Sequence, residues 1–189
     1  MLRTRFGRTA GALTLLLLPT CLCLSGCKSD QRISPPKDRA DEIARITEVK
    51  ELTSILSEDP LALNRAAAAL ALGRLGDEQG VEPLIAALGD ADAAVRRDIT
   101  LALGQIKDWR VTAPLCGRLL HDNIADVRRA AARALHDSGD RKAMQCLVEA
   151  LTDPNESVVY NAHRALIALT GRQDLGRSPS QWEGLIESE

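Results

Sequence analysis

VEPLIAALGDADAAVRRDITLALGQIKD (residues 81–108) and APLCGRLLHDNIADVRRAAARALHDSGD (113–140) are two copies of one pattern. Each carries an aspartate (Asp90, Asp122), a Val-Arg-Arg run (Val95 to Arg97, Val127 to Arg129), an Ala-Leu pair and a closing aspartate (Asp108, Asp140). Outward from these two, the Ala-Leu pair recurs at Ala71-Leu72, Ala102-Leu103, Ala134-Leu135 and Ala165-Leu166, at steps of 31, 32 and 31 residues. Asp59, Asp90, Asp122 and Asp153 keep the same steps, and Arg65, Arg96 and Arg128 follow the first three by six residues. Self-similarity at a fixed period of this length marks a stacked repeat architecture.

Within each unit the leucines Leu52/Leu56, Leu84/Leu88, Leu115/Leu119 and Leu147/Leu151 form the i, i+4 stripe of a helix. Asp77, Asp108 and Asp140 punctuate the joins, as helix-capping residues do. The spacing predicts a first helix, A, at 46–57, 80–89, 111–120 and 143–152. It predicts a second, B, at 62–75, 92–106, 125–137 and 156–169. One such pair cannot bury its apolar faces alone, whereas stacked pairs build a continuous core. The expected fold is all-α: an α-α superhelix, or solenoid, of about four helix pairs with terminal caps.

The two quoted stretches resemble HEAT-like repeats, in the short form found in bilin-lyase-related proteins. The resemblance covers about 49–171 and implies the fold; its matched residues are structural and carry little chemistry. The fourth unit departs from it at Val159, where an arginine is expected. Repeated Asp at the A–B turn and Arg in the first turn of B imply a ladder of ion pairs linking successive layers.

Composition agrees with a helical stack. The 189 residues carry a net charge of −2 and only four aromatics, Phe6, Trp109, Tyr160 and Trp182. A core without aromatics must come from Leu, Ile, Val and Ala, and the Ala-rich run Ala66 to Ala69 lets helices approach closely. Scarce aromatics exclude stacking platforms for single-stranded nucleic acid, and a charge near zero gives no broad pull on phosphate backbones. No nucleic-acid partner is expected. Trp182, with Leu185 and Ile186, should form a short capping helix over the last layer. Trp109, at the turn between the second and third units, is expected to pack, with partner contact as the alternative.

The N-terminus reads as an address. Arg3, Arg5 and Arg8 precede an apolar run from Ala10 to Leu24, broken at Pro19 and Thr20 and too short for a comfortable membrane span. It ends in Leu24-Ser25-Gly26-Cys27, which resembles the lipobox of bacterial lipoproteins. The resemblance implies lipidation at Cys27, cleavage before it, and location at the periplasmic face of the cell envelope. The resemblance also implies the outer membrane rather than the inner, where the organism sorts by this position, because Lys28 and not Asp follows the cysteine. Loss of residues 1–26 removes three Arg and no acid, so the remaining chain would carry −5. The expected organisation is a signal peptide (1–26), lipidated Cys27 and tether (27–37), and a repeat domain (38–171). Its units fall at about 48–78, 79–109, 110–141 and 142–171, and a C-terminal cap occupies 172–189. The membrane is engaged through the N-terminal lipid only.

No Gly-rich phosphate loop, His-Glu-x-x-His or nucleophile elbow occurs. The three histidines, His121, His136 and His163, occupy unrelated repeat positions, and the His-Glu pairs of HEAT-repeat metal hydroxylases are absent. Cys116 and Cys146, 30 residues apart, suit two buried small apolar residues, the preferred reading, or a disulfide in an oxidising compartment. The expectation is therefore no enzyme, no catalytic or metal-binding residues and no cofactor.

What remains is the surface of the B helices. Counting from Asn64, Val95, Val127 and Val158, positions +2, +3 and +6 should face away from the A helices. They hold Ala66, Ala67 and Leu70; Arg97, Asp98 and Leu101; Arg129, Ala130 and Arg133; Tyr160, Asn161 and Arg164. The row turns from apolar to basic, with one tyrosine, and Arg and Tyr are enriched at binding hot spots. Arg97, Leu101, Arg129, Arg133, Tyr160 and Arg164 are the candidate partner-binding residues, for a protein with an acidic or carboxylate-bearing segment. The expected function is a non-catalytic protein–protein scaffold or adaptor, as monomer or in a hetero-complex. The alternative is a lyase-like enzyme, or an enzyme accessory or chaperone acting on a small ligand or client protein.

Overall fold

The computed structural model describes residues 36–186, with side chains from Arg39 onward. The chain divides into two units, Met1–Ile33 and Ser34–Glu189, and every described residue belongs to the second. The leader, Cys27 and the tether up to residue 35 lie outside the described residues.

The described residues form helices and turns, with no strand among them. They run α1 (Pro36–Ile43), α2 (Val49–Glu58), α3 (Ala62–Leu75), α4 (Val81–Ala87), α5 (Ala93–Ile106), α6 (Thr112–His121), α7 (Ala125–Ser138), α8 (Met144–Glu149), α9 (Glu156–Thr170) and α10 (Pro179–Ile186). Helices α2, α4, α6 and α8 are the A helices; α3, α5, α7 and α9 are the B helices, and they stack in chain order. The result is an all-α solenoid of four helix pairs. Cap α1 packs on α3, and cap α10 packs on α8.

Local chemistry sets the helix ends. Asp77, Asp108 and Asp140 each accept a backbone N–H two residues on, from Gln79 (2.8 Å), Arg110 (2.8 Å) and Lys142 (3.0 Å). What they cap is a single 3-10 turn that leads directly into the A helix. Gly76, Gly139 and Gly171 end α3, α7 and α9 in the left-handed conformation that glycine adopts without strain. The equivalent residue after α5 is Lys107, at φ 56°.

Packing follows the repeat. Leu52, Leu56, Leu84, Leu115, Leu119 and Leu147 from the A stripes are fully or almost fully buried against Leu72, Leu103, Leu135 and Leu166 of the B helices. Burying each such side chain favours folding by about 1.5–3 kcal/mol, before conformational entropy is charged against it. Between B helices the seam is made of small residues. A Cβ on Gly73 would lie 2.6 Å from Ala102 Cα, and one on Gly104 would lie 2.7 Å from Ala134 Cα. The scarcity of aromatics is thus a packing requirement, since backbones this close leave no room for rings.

The Asp–Arg ladder joins one layer to the next. Arg65 Nε lies 2.7 Å from Asp90, Arg96 Nε 2.8 Å from Asp122, and Arg128 Nε 2.7 Å from Asp153. The same arginines donate backward to the Asp59, Asp90 and Asp122 carbonyls, so each guanidinium ties two successive A–B turns. Arg39 of α1 stands 3.4 Å from Asp59 at the start. At the far end the series stops at Val159, which is buried.

Trp182 has no exposed surface, and its indole N–H donates to the Gly176 carbonyl at 2.7 Å. It covers the last layer as a cap. Trp109 and the cysteine pair depart from expectation. Trp109 does not pack: it is 74% exposed, because the residue after each capping aspartate faces solvent, as Glu78 and Arg141 also do. Cys116 and Cys146 are not two separate buried thiols but a disulfide, linking neighbouring A helices α6 and α8 with Cα atoms 5.7 Å apart.

Candidate functional site

The B-helix row presents positions +2 and +6 to solvent in the later units. Arg129, Arg133, Tyr160 and Arg164 are exposed, while Arg97 and Leu101 are half-buried. Position +3 does not follow. Asp98 and Ala130 are buried because the neighbouring B helices close over that flank, and Ala66 at the first +2 position is buried as well. The six candidate residues are those at +2 and +6 of the last three units, so the structure keeps them as one i, i+4 stripe per helix.

Their electrostatics differ. Arg97 Nε donates to Asp98 at 2.8 Å, and that bond holds its guanidinium pKa above its usual value against the opposing pull of burial. Arg129 pairs with Asp126 at 3.0 Å, and Arg133 lies 3.8 Å from Asp137. Arg164 has no carboxylate within 4 Å among the described residues; it stacks on Tyr160, with the guanidinium carbon 5.9 Å from the ring centroid. Arg177, from the segment before α10, covers the same ring at 5.7 Å and ion-pairs with Glu156. Tyr160 therefore has two guanidinium groups against its ring while 47% of its surface stays exposed. Arg177 belongs to no repeat, so the register of the repeats could not reveal it.

Beside this ring, Arg133, His136, Asp137, Asn161 and Arg164 line a cleft of about 260 Å³. His136 Nδ1 sits 2.9 Å from the Asp137 carboxylate, and Asn161 donates to the Ser157 carbonyl at 2.7 Å. Those bonds fix the walls and leave the Arg164 guanidinium free to meet an incoming anion. His163 is not part of it. Its Nε2 bonds the Leu175 carbonyl at 3.0 Å, and its ring meets Trp182 edge-on, which secures the C-terminal cap. Among the described residues no three His, Cys, Asp or Glu side chains are placed to hold a metal ion. No helix among them is long and apolar enough to cross a membrane.

The family described as HEAT repeats matches residues 49–136 and 114–177. The chain is 30% identical over 125 residues to deoxyhypusine hydroxylase-B of rice, Oryza sativa subsp. japonica, covering 66% of this chain and 41% of that protein. Human deoxyhypusine hydroxylase, solved in complex with glycerol, matches at a TM-score of 0.61 and 22% identity, over 68% of this chain and 45% of the other. The complex of CpcE and CpcF of phycocyanin lyase from Nostoc sp. PCC7120 matches at 0.60 and 21% identity, over 95% and 74%. The chain spans less than half the length of either hydroxylase. The expectation that it is no enzyme is overturned by these three likenesses, because the rice and human hydroxylases and the lyase complex are each named for catalysis.

Proposed function

The chain belongs to the HEAT-repeat family, and from that premise we propose that it serves an enzyme system of the lyase kind, as lyase-like subunit or accessory. It holds a client protein along the B helices. The likeness to the phycocyanin lyase complex, which runs over 95% of this chain, supports that reading over a hydroxylase. That lyase structure is a complex of CpcE with CpcF, which supports a hetero-complex here too.

One observation carries the reading: the B-helix row ends in a cation–aromatic patch beside a cleft. Arg164 has no acidic partner there, and Tyr160 is braced yet exposed. An acidic or carboxylate-bearing segment supplies the missing charge, and its apolar part can run toward Leu101 and Leu70. Arg97, Arg129 and Arg133 extend the same face. An envelope address belongs to the same proposal. The lipobox-like end at Cys27 supports a lipid anchor, and the Cys116–Cys146 disulfide supports an oxidising compartment.

Charge reversal tests the patch. Arg133→Glu with Arg164→Glu, in a variant whose helical signal matches the wild type, should convert detergent-extracted hetero-complex to free chain on light-scattering chromatography. Complexes of unchanged mass and composition contradict the proposal.

A further inference from the structure

The A-helix side carries a second cleft, of about 540 Å³, whose lining includes Trp109, Cys116, Leu120, Lys142, Cys146 and Glu149. A disulfide forms part of its wall. We propose that Cys116–Cys146 is a thiol–disulfide exchange site, and that this cleft seats a cysteine-bearing segment of a partner protein.

Three observations lead there. First, the two cysteines are unequal: Cys116 is partly exposed, whereas Cys146 is only 7% exposed. An attacking thiolate therefore reaches Cys116, and Cys146 is the leaving group. Second, the fold does not depend on this bond to join the last two units. Arg128 holds Asp153 at 2.7 Å, and the Thr112 hydroxyl donates to Asp140 at 2.6 Å, so both links survive when the disulfide opens. Third, Trp109 stands 74% exposed at a position where the other units carry Glu78 and Arg141. The repeat has no packing use for a tryptophan there. On the rim of a cleft with a reactive bond in its wall, it is an anchor for the residues flanking an incoming cysteine.

The exchange balances without further reagents. The partner thiolate attacks Cys116 Sγ and forms a new S–S bond to it. The Cys116–Cys146 bond breaks, and its electron pair passes to Cys146 Sγ, which leaves as thiolate. Lys142 lines the same cleft, and its positive charge favours the thiolate that leaves. A second thiol on the partner then attacks the mixed disulfide, closing the partner's own disulfide and releasing Cys116 as a thiol. The partner is oxidised by two electrons, and the Cys116–Cys146 pair is reduced by two.

The full chain, oxidised and folded, is treated with glutathione and, separately, with the capped peptide Leu-Cys-Leu. Trapped adducts are mapped by mass spectrometry. The disulfide should open at least about tenfold faster than the chain unfolds globally, with the adduct on Cys116. Trp109→Ala should slow the peptide by about threefold to tenfold and leave glutathione unchanged. With Cys146→Ser the lone Cys116 should take up the peptide from its mixed disulfide with thionitrobenzoate, and with Cys116→Ser the buried Cys146 should not. Opening only at the rate of global unfolding, adducts on Cys146, or a Trp109→Ala variant indistinguishable from wild type with the peptide would each overturn the proposal. The Arg133/Arg164 charge reversal leaves these rates unchanged, so this site and the B-helix patch stand or fall separately.

Discussion

Arg96 reaches out of one repeat unit and holds the Asp122 carboxylate of the next with two bonds, Nε at 2.8 Å and Nη2 at 3.0 Å. The Asp122 side chain is 1% exposed and that of Arg96 10%. Both charges have left water, and the geometry between them must compensate. Asp122→Ala strands the guanidinium and should cost about 3–5 kcal/mol in urea unfolding. The double change Arg96→Met, Asp122→Leu should recover most of that loss, because it removes the buried charge along with its partner. A single variant near wild-type stability would mean that water reaches the pair.

The same ladder makes stability depend on acid. Arg65 bonding holds the Asp90 carboxyl below its ordinary value against desolvation. At Asp122 and Asp153 burial pushes upward most strongly, but the Arg96 and Arg128 bonds, with backbone N–H donors, still leave both below the usual range. A carboxylate lowered in the folded state contributes its stability fully above the unfolded value, about 3.9, and loses it as pH falls through the lower folded value. Thermal midpoints should therefore hold down to about pH 4 and then drop steeply toward pH 2. Asp122→Asn should start lower and fall less over that window.

Gly104 lies where α5 crosses α7, with Ala134 Cα 2.7 Å from the place a Cβ would occupy. Gly104→Ala normally helps a helix, but here it must push two backbones apart. The expected result is a loss of about 1–3 kcal/mol in chemical denaturation, against the gain that helix propensity alone would give.

Lys107 ends α5 at φ 56°, where Gly76, Gly139 and Gly171 serve the other B helices. A β-carbon in that conformation is strained. Lys107→Gly should raise stability by about 0.5–1 kcal/mol, the relief of strain exceeding the added freedom of the unfolded chain. A lower midpoint would mean that the lysine side chain makes contacts of its own worth more than the strain.

Cys27→Ser should release the protein from the membrane fraction, since several acyl chains are the proposed anchor. Retention of the variant on membranes would contradict the lipid anchor.

Much of the fold was legible because the chain states it four times. Registering Asp59, Asp90, Asp122 and Asp153 against one another placed the B helices almost to the residue and paired each arginine with the next layer's carboxylate. Errors came where residue type overrode register. A tryptophan at 109 reads as a packing residue, whereas its counterparts, Glu78 and Arg141, are polar and exposed. A helical wheel points Asp98 and Ala130 outward, yet both are buried, because the wheel does not include the neighbouring helix that covers one flank. The sequence favours two buried thiols over the disulfide, because a spacing of one repeat brings two A helices together without fixing where their side chains point. At the candidate site the exposed stripe was visible in the sequence, whereas Arg177 over Tyr160 depends on how the C-terminal segment folds back.

Photocrosslinking from the ring that defines the proposed client surface tests it most directly. A benzophenone-bearing phenylalanine replaces Tyr160 in one variant and the exposed Ala86 on the A-helix side in another, both in cells that make the protein. A discrete protein adduct should form from position 160, vanish when Arg164→Glu is added, and be absent from position 86. No adduct at 160, or one that persists with Arg164→Glu or forms equally from 86, would contradict a client held on the B-helix row.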